Sequence, residues 1–152
     1  MNTRAIALLL CLSPYAVFAC EPGEKLVFSC PTDTRKHVEV CQAATAIHYS
    51  YGKPGQPAEL KLSEKNENFV WEHGEGVSAG IADDLVFKNG ATTYLISHVR
   101  NFDDPTEFLA HLTVMQPGKE NIYIDCASGK AKFNPAAIKA KSREMSEGTP
   151  SF

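Results

Sequence analysis

The sequence predicts an all-β protein, a meandering antiparallel barrel or sandwich of about eight short strands stapled by disulfides. Three observations predict it. Apolar residues recur with a period of two rather than 3.6, turn chemistry separates the apolar runs, and four cysteines remain once an N-terminal leader is set aside.

The leader comes first. Met1 to Arg4 is a short basic region, Ala5 to Leu12 is an apolar run, and Val17-Phe18-Ala19 puts small or branched residues at the −3 and −1 positions of a signal-peptidase cut. The run is shorter than the roughly 20 apolar residues a membrane-spanning helix needs. Cleavage after Ala19 is therefore expected, with residues 1–19 a signal peptide, 20–130 one β domain, and 131–152 a flexible or partly helical tail. Leu26 to Cys30 and His37 to Cys41 read as strands joined by Pro31-Thr32-Asp33-Thr34. Ile47, Tyr49 and Tyr51 alternate with polar residues until Gly52-Lys53-Pro54-Gly55 forces a turn, and Leu60 and Leu62 mark a fourth strand. Ser63 to Asp83 falls outside the pattern and reads as a loop, with at most a short strand at Phe69 to Glu72. Asp84 to Lys88 and Thr92 to Val99 form a hairpin about Asn89-Gly90, residues that tolerate positive φ. Phe108 to Met115 and Asn121 to Cys126 flank the Pro117-Gly118 turn. Beyond Lys130 lie Lys132, Lys139, Lys141 and Arg143, a run that reads as a solvated tail, with Pro135 placed to start one short helix.

Composition sets the class. The chain has 152 residues, 43% hydrophobic and 22% charged, which suits one globular domain. Its net charge of −3 becomes −4 once Arg4 leaves with the leader, which argues against nucleic-acid binding. No second apolar run is long enough to span a membrane, so a periplasmic or secreted protein is expected. Cys20, Cys30, Cys41 and Cys126 stay with the mature chain, and an even set in an oxidising compartment implies two disulfides. Folding the first hairpin about residues 31–36 sets Cys41 opposite Leu26 and near the incoming Cys20. Cys20–Cys41 and Cys30–Cys126 follow. A rival reading makes Cys20 the lipidated first residue of a lipoprotein, which would strand one thiol. Spacings of 10, 11 and 85 residues offer no close pair to grip zinc, so no metal is expected.

Candidates for chemistry are few. His37, His48, His98 and His111 fall in expected strands, on the solvent face. His73 lies between Glu72 and Glu75 in a glycine-rich segment, where acid–base work is conceivable. Ser78 in Gly76-Val77-Ser78-Ala79-Gly80 fits G-x-S-x-G, but that elbow needs a strand-to-helix turn on a parallel sheet, and neither is expected. Asp103-Asp104 reads as a turn before Pro105. The sequence thus reads as non-catalytic and without a cofactor. Its expected function is to bind a protein partner through the Trp71 to Gly80 segment with the Asn89-Gly90 turn beside it: Trp71, His73, Glu75, Ser78, Lys88 and Asn89. The competing reading makes Trp71 a core residue.

Val27-Phe28-Ser29-Cys30 early and Ile124-Asp125-Cys126 late resemble the layout of bacterial periplasmic inhibitors of c-type lysozyme and related adhesin-complex proteins. Over residues 20–130 the chain also resembles small secreted proteobacterial proteins that share the Phe28-Ser29-Cys30, Val38-Glu39-Val40-Cys41, Tyr49-Ser50-Tyr51-Gly52 and Asn89-Gly90 segments. The inhibitor resemblance implies an eight-stranded barrel stapled from its first strand to its C-terminal end. It also implies a serine loop and a lysine loop that enter the lysozyme cleft, here Ser78 and Lys88 by position. The chain departs from that family in lacking an aromatic-x-Lys-Gly stretch after the hairpin and in carrying two further cysteines. The implied function is inhibition of a cell-wall hydrolase; the alternative is an immunity protein against a delivered toxin, or a module of an envelope complex.

Overall fold

The alternating segments form strands, and those strands fall into two sheets. In the computed structural model, which describes residues 20–76, 80–104 and 106–145, the first sheet contains β1 (Lys25–Pro31), β2 (His37–Gln42), β3 (Ala46–Gly52) and β4 (Leu60–Lys65) as an antiparallel meander. The second contains β5 (Val70–Gly76), β6 (Gly80–Asn89), β7 (Thr92–Asn101), β8 (Phe108–Met115) and β9 (Ile122–Asp125), again a meander. β10 (Lys132–Phe133) then returns to pair with β1, and β11 (Ser142–Glu144) lies parallel to β5. The orders are β10-β1-β2-β3-β4 and β11-β5-β6-β7-β8-β9, so neither sheet closes on itself and the fold is a sandwich.

Strand parity decides what is buried. In the first sheet Phe28, Cys30, Val38, Val40, Ile47 and Tyr49 face inward; in the second, Leu85, Phe87, Ile96 and Leu112 do. Tyr49 is the centrepiece, its ring 5.3 Å from Phe87 and 5.8 Å from Tyr94. A bulge between Leu26 and Phe28 inserts Val27, whose carbonyl accepts the Asn134 N–H at 2.7 Å and so draws the C-terminal segment onto the sheet.

Cys20 is bonded to Cys41 and Cys30 to Cys126, the pairing that the hairpin register implies, with Cys41 opposite Leu26. The Cys20 sulfur, engaged in this way, is not free to carry a lipid. Two disulfides fit folding in an oxidising compartment, and no helix among the described residues is long and apolar enough to cross a membrane. The expected leader, residues 1–19, lies outside the described residues.

Three expectations need correction. The Ser63 to Asp83 segment is mostly strand: β4 runs on to Lys65, and β5 covers Val70–Gly76 and pairs with β6 along its length. Its glycines and charges hid the alternation. Residues 131–145 are not a detached tail; they supply an edge strand to each sheet, with a 3-10 turn at Pro135–Ala137 between them. Phe133 packs edge-on to Phe28 at 6.5 Å, and Ala131, Ala137 and Ala140 join the core. Apolar residues this widely spaced give no period to read. At the Asn89-Gly90 turn, Gly90 alone takes a positive φ (59°), and Asn89 is the last strand residue, paired with Thr92. The two-residue loop is Gly90-Ala91, with glycine at its first central position.

Candidate functional site

β5 and β6 form a hairpin whose stem carries the densest charge in the second sheet. Asp83 and Asp84 are consecutive in a strand, so they point to opposite faces. Asp83 faces the core side with its side chain fully buried. The His73 Nδ1–H donates to Oδ1 at 2.6 Å, and Arg100 reaches Oδ2 at 3.4 Å from β7. The pairing follows from register: His73 is directly opposite Asp83, and Arg100 is opposite Ile81 two residues along. With Nδ1 engaged, the half-exposed imidazole has Nε2 left for an outside group.

The other face holds a second set. Glu72 is 2% exposed, and Arg143 of β11 reaches its Oε1 at 3.4 Å. Asp84 is opposite Glu72 on one side and Ser97 on the other. Burial pushes its carboxyl up to about 6, the Ser97 hydroxyl pulls the other way, and the charges of Glu72 and Asp83 add to the rise. An acid whose folded pKa is raised stabilises the fold most below its unfolded pKa, and loses that contribution as pH rises through the folded value. Stability is therefore expected to fall between about pH 4 and pH 7 by about 2–3 kcal/mol on this account. Asp84→Asn should flatten that slope, which urea unfolding at a series of pH values measures directly.

Each strand of the hairpin is held near the end where Gly76 pairs with Gly80. A methyl group on Gly80 would meet the Arg100 carbonyl oxygen at 2.4 Å, so only glycine permits this approach of β6 to β7. On the β5 side, the Met145 N–H donates to the His73 carbonyl at 3.2 Å, extending the β11 contact.

The expected site residues divide into two places. Trp71, His73 and Glu75 alternate on one face of β5, with His73 and Glu75 exposed near its end and Trp71 half-buried against the core. Lys88 and Asn89 are exposed at the far end of β6. Lys88 is seven residues along β6 from Ile81, the partner of Glu75, which is about 23 Å at the rise of a strand. The Asn89-Gly90 turn is therefore not beside the hairpin tip, and the two sets do not form one surface. Ser78 lies outside the described residues. His98 is also corrected: it faces the core, stacked on Phe108 at 5.1 Å and against Phe133 at 5.0 Å, and burial lowers its pKa. His37, His48 and His111 lie on outer faces, as expected.

Sequence reading missed Asp83, Arg100, Glu72 and Arg143. The one available signal was the Asp83-Asp84 pair within an apolar stretch, where a strand carries charge only at a cost. Elsewhere, one ligand atom from each of Cys20, Glu24 and Cys41 lies within 4.8 Å of the others, but both sulfurs are joined in a disulfide and lack the thiolate a metal requires. Compared with known proteins, the chain matches no family model, no curated protein and no solved structure.

Proposed function

We propose that the chain is exported with cleavage after Ala19 and acts as a non-catalytic protein-binding domain, blocking a cell-wall hydrolase of lysozyme type by presenting the β5–β6 hairpin to its cleft. The observation that carries this reading is the two-sided clamp on the hairpin stem. Asp83 ties His73 and Arg100 on one face, and Glu72 ties Arg143 on the other. A stem ordered in advance loses little entropy when its tip is gripped. Exposed Glu75 and the acidic net charge favour a basic partner, mainly through encounter rate. Lys88 and Asn89, at the far end of β6, belong to no part of this contact.

The test is to titrate residues 20–152 into a c-type lysozyme clearing a peptidoglycan suspension. Clearing should stop near one equivalent. Unimpeded clearing at molar excess removes the lysozyme reading, and capture of a different envelope protein would then redirect it toward a toxin or an envelope complex. Glu75→Lys is expected to weaken inhibition by about tenfold or more while leaving the melting temperature unchanged, because it reverses a charge at an exposed site.

A further inference from the structure

The outer face of the first sheet, remote from the hairpin in the second, holds a cavity of about 320 Å³. The N-terminal residues Cys20, Glu21 and Glu24 form one wall; Glu39, Cys41, His48 and Lys61 are among those forming the other. The Cys20–Cys41 disulfide closes one side, and Glu24 pairs with His48 at 2.6 Å. Glu39 stands out. It is 6% exposed, and its Oε1 lies 3.5 Å from the Cys41 sulfur. A disulfide sulfur has no proton to donate, so this contact leaves the carboxylate oxygen free to carry one. Burial, reinforced by the charge of Glu24, raises its pKa. Holding a carboxyl group at so little exposure is costly, and a glutamine of the same size would avoid that cost.

We propose that Cys20–Cys41 is an exchangeable disulfide, reduced and re-formed by a protein dithiol, with Glu39 passing the proton to and from the Cys41 sulfur. In reduction, a thiolate of the dithiol attacks the Cys20 sulfur, the less buried of the two. The S–S bond breaks, its electron pair goes to Cys41, and the Glu39 carboxylic acid protonates that sulfur. The second thiol gives its proton to water and attacks the dithiol's own sulfur in the mixed disulfide; Cys20 leaves as a thiolate and takes a proton from water, as does the Glu39 carboxylate. The dithiol ends as a disulfide, and two electrons and two protons reside on Cys20 and Cys41. In re-formation, the Glu39 carboxylate takes the Cys41 proton back. Cys30–Cys126 lacks the proton relay: the neighbour of the Cys30 sulfur is the Pro31 carbonyl at 3.7 Å, which has no proton to give.

The experiment reduces the chain of residues 20–152 with dithiothreitol, traps thiols by alkylation, and maps them by mass spectrometry between about pH 5 and 8, with each rate divided by the reductant's thiolate concentration. Cys20–Cys41 should open at least about tenfold faster than Cys30–Cys126. Its normalised rate should fall as pH rises, because the acid form of Glu39 is lost. Glu39→Gln should be slower at low pH by about tenfold, with a flat profile. The other ionisable side chains at or beside the cavity are Glu21, Glu24, His37, His48 and Lys61; Glu24→Gln, which removes the His48 pair, should keep the slope. A flat wild-type profile, an unchanged slope in Glu39→Gln, or earlier opening of Cys30–Cys126 each overturns the proposal. The wild-type profile decides the matter even if Glu39→Gln fails to fold.

Discussion

Cys126→Ser is expected to destabilise the fold by about 4–5 kcal/mol, the chain-entropy value for a disulfide closing a loop of its size. The bond joins residues 96 apart. It also sits at the seam between the sheets, where the Ala127 N–H donates to Pro31 at 2.8 Å and the Asp33 N–H to Asp125 at 3.2 Å. Cys20→Ser opens a bond between residues only 21 apart, at the start of the described chain, and should cost about 3 kcal/mol on the same scale. Denaturant unfolding of both variants measures the difference. Equal midpoints would mean that the backbone bonds of the seam, rather than the covalent bond, hold the sheets together.

Phe87→Ala is expected to cost about 3–5 kcal/mol, since it removes a ring from the centre of the core. Phe87 has no exposed surface, and its ring lies 5.1 Å from Phe69 and 5.3 Å from Tyr49. The cavity would open between the sheets, where side chains from two strand layers cannot both collapse to fill it. The neighbouring Lys88→Ala, on the exposed side of the same strand, should change stability by less than about 0.5 kcal/mol. Urea unfolding tests the pair, and a loss below about 1 kcal/mol at Phe87 would contradict its place in the core.

These two residues also show what the sequence makes legible. Phe87 ends the apolar run Leu85-Val86-Phe87 that leads into Asn89-Gly90, so its strand and hairpin partner can be read locally. The disulfides were legible because two short strands and one turn fix the Cys41–Leu26 register. β5 was not. Its inward positions after Trp71 are His73 and Glu75, and its outward Glu72 is buried and pairs with Arg143, 71 residues later. No window of sequence contains both. The candidate site fared worse for a simple geometric reason. Glu75 and Lys88 are close in sequence, but an extended strand carries each residue about 3.3 Å further along, so a short separation becomes a long distance. Trp71 divides the same way: its ring packs on the core while the same strand face emerges at His73.

The register of β1 and β2 also bears on the order of events as the chain is made. Cys20, Cys30 and Cys41 emerge early, and for most of synthesis Cys126 is still to come. Cys30 and Cys41 are close enough in sequence to pair wrongly. Once the hairpin forms, Cys30 sits opposite Val38 on the inner side of the sheet, while Cys41 sits beside Glu39 on the outer side. The backbone then stands between them as a partition. Two strands and a turn are enough to sort the oxidation partners. Cys30 is kept in reserve on the side where Cys126 will arrive.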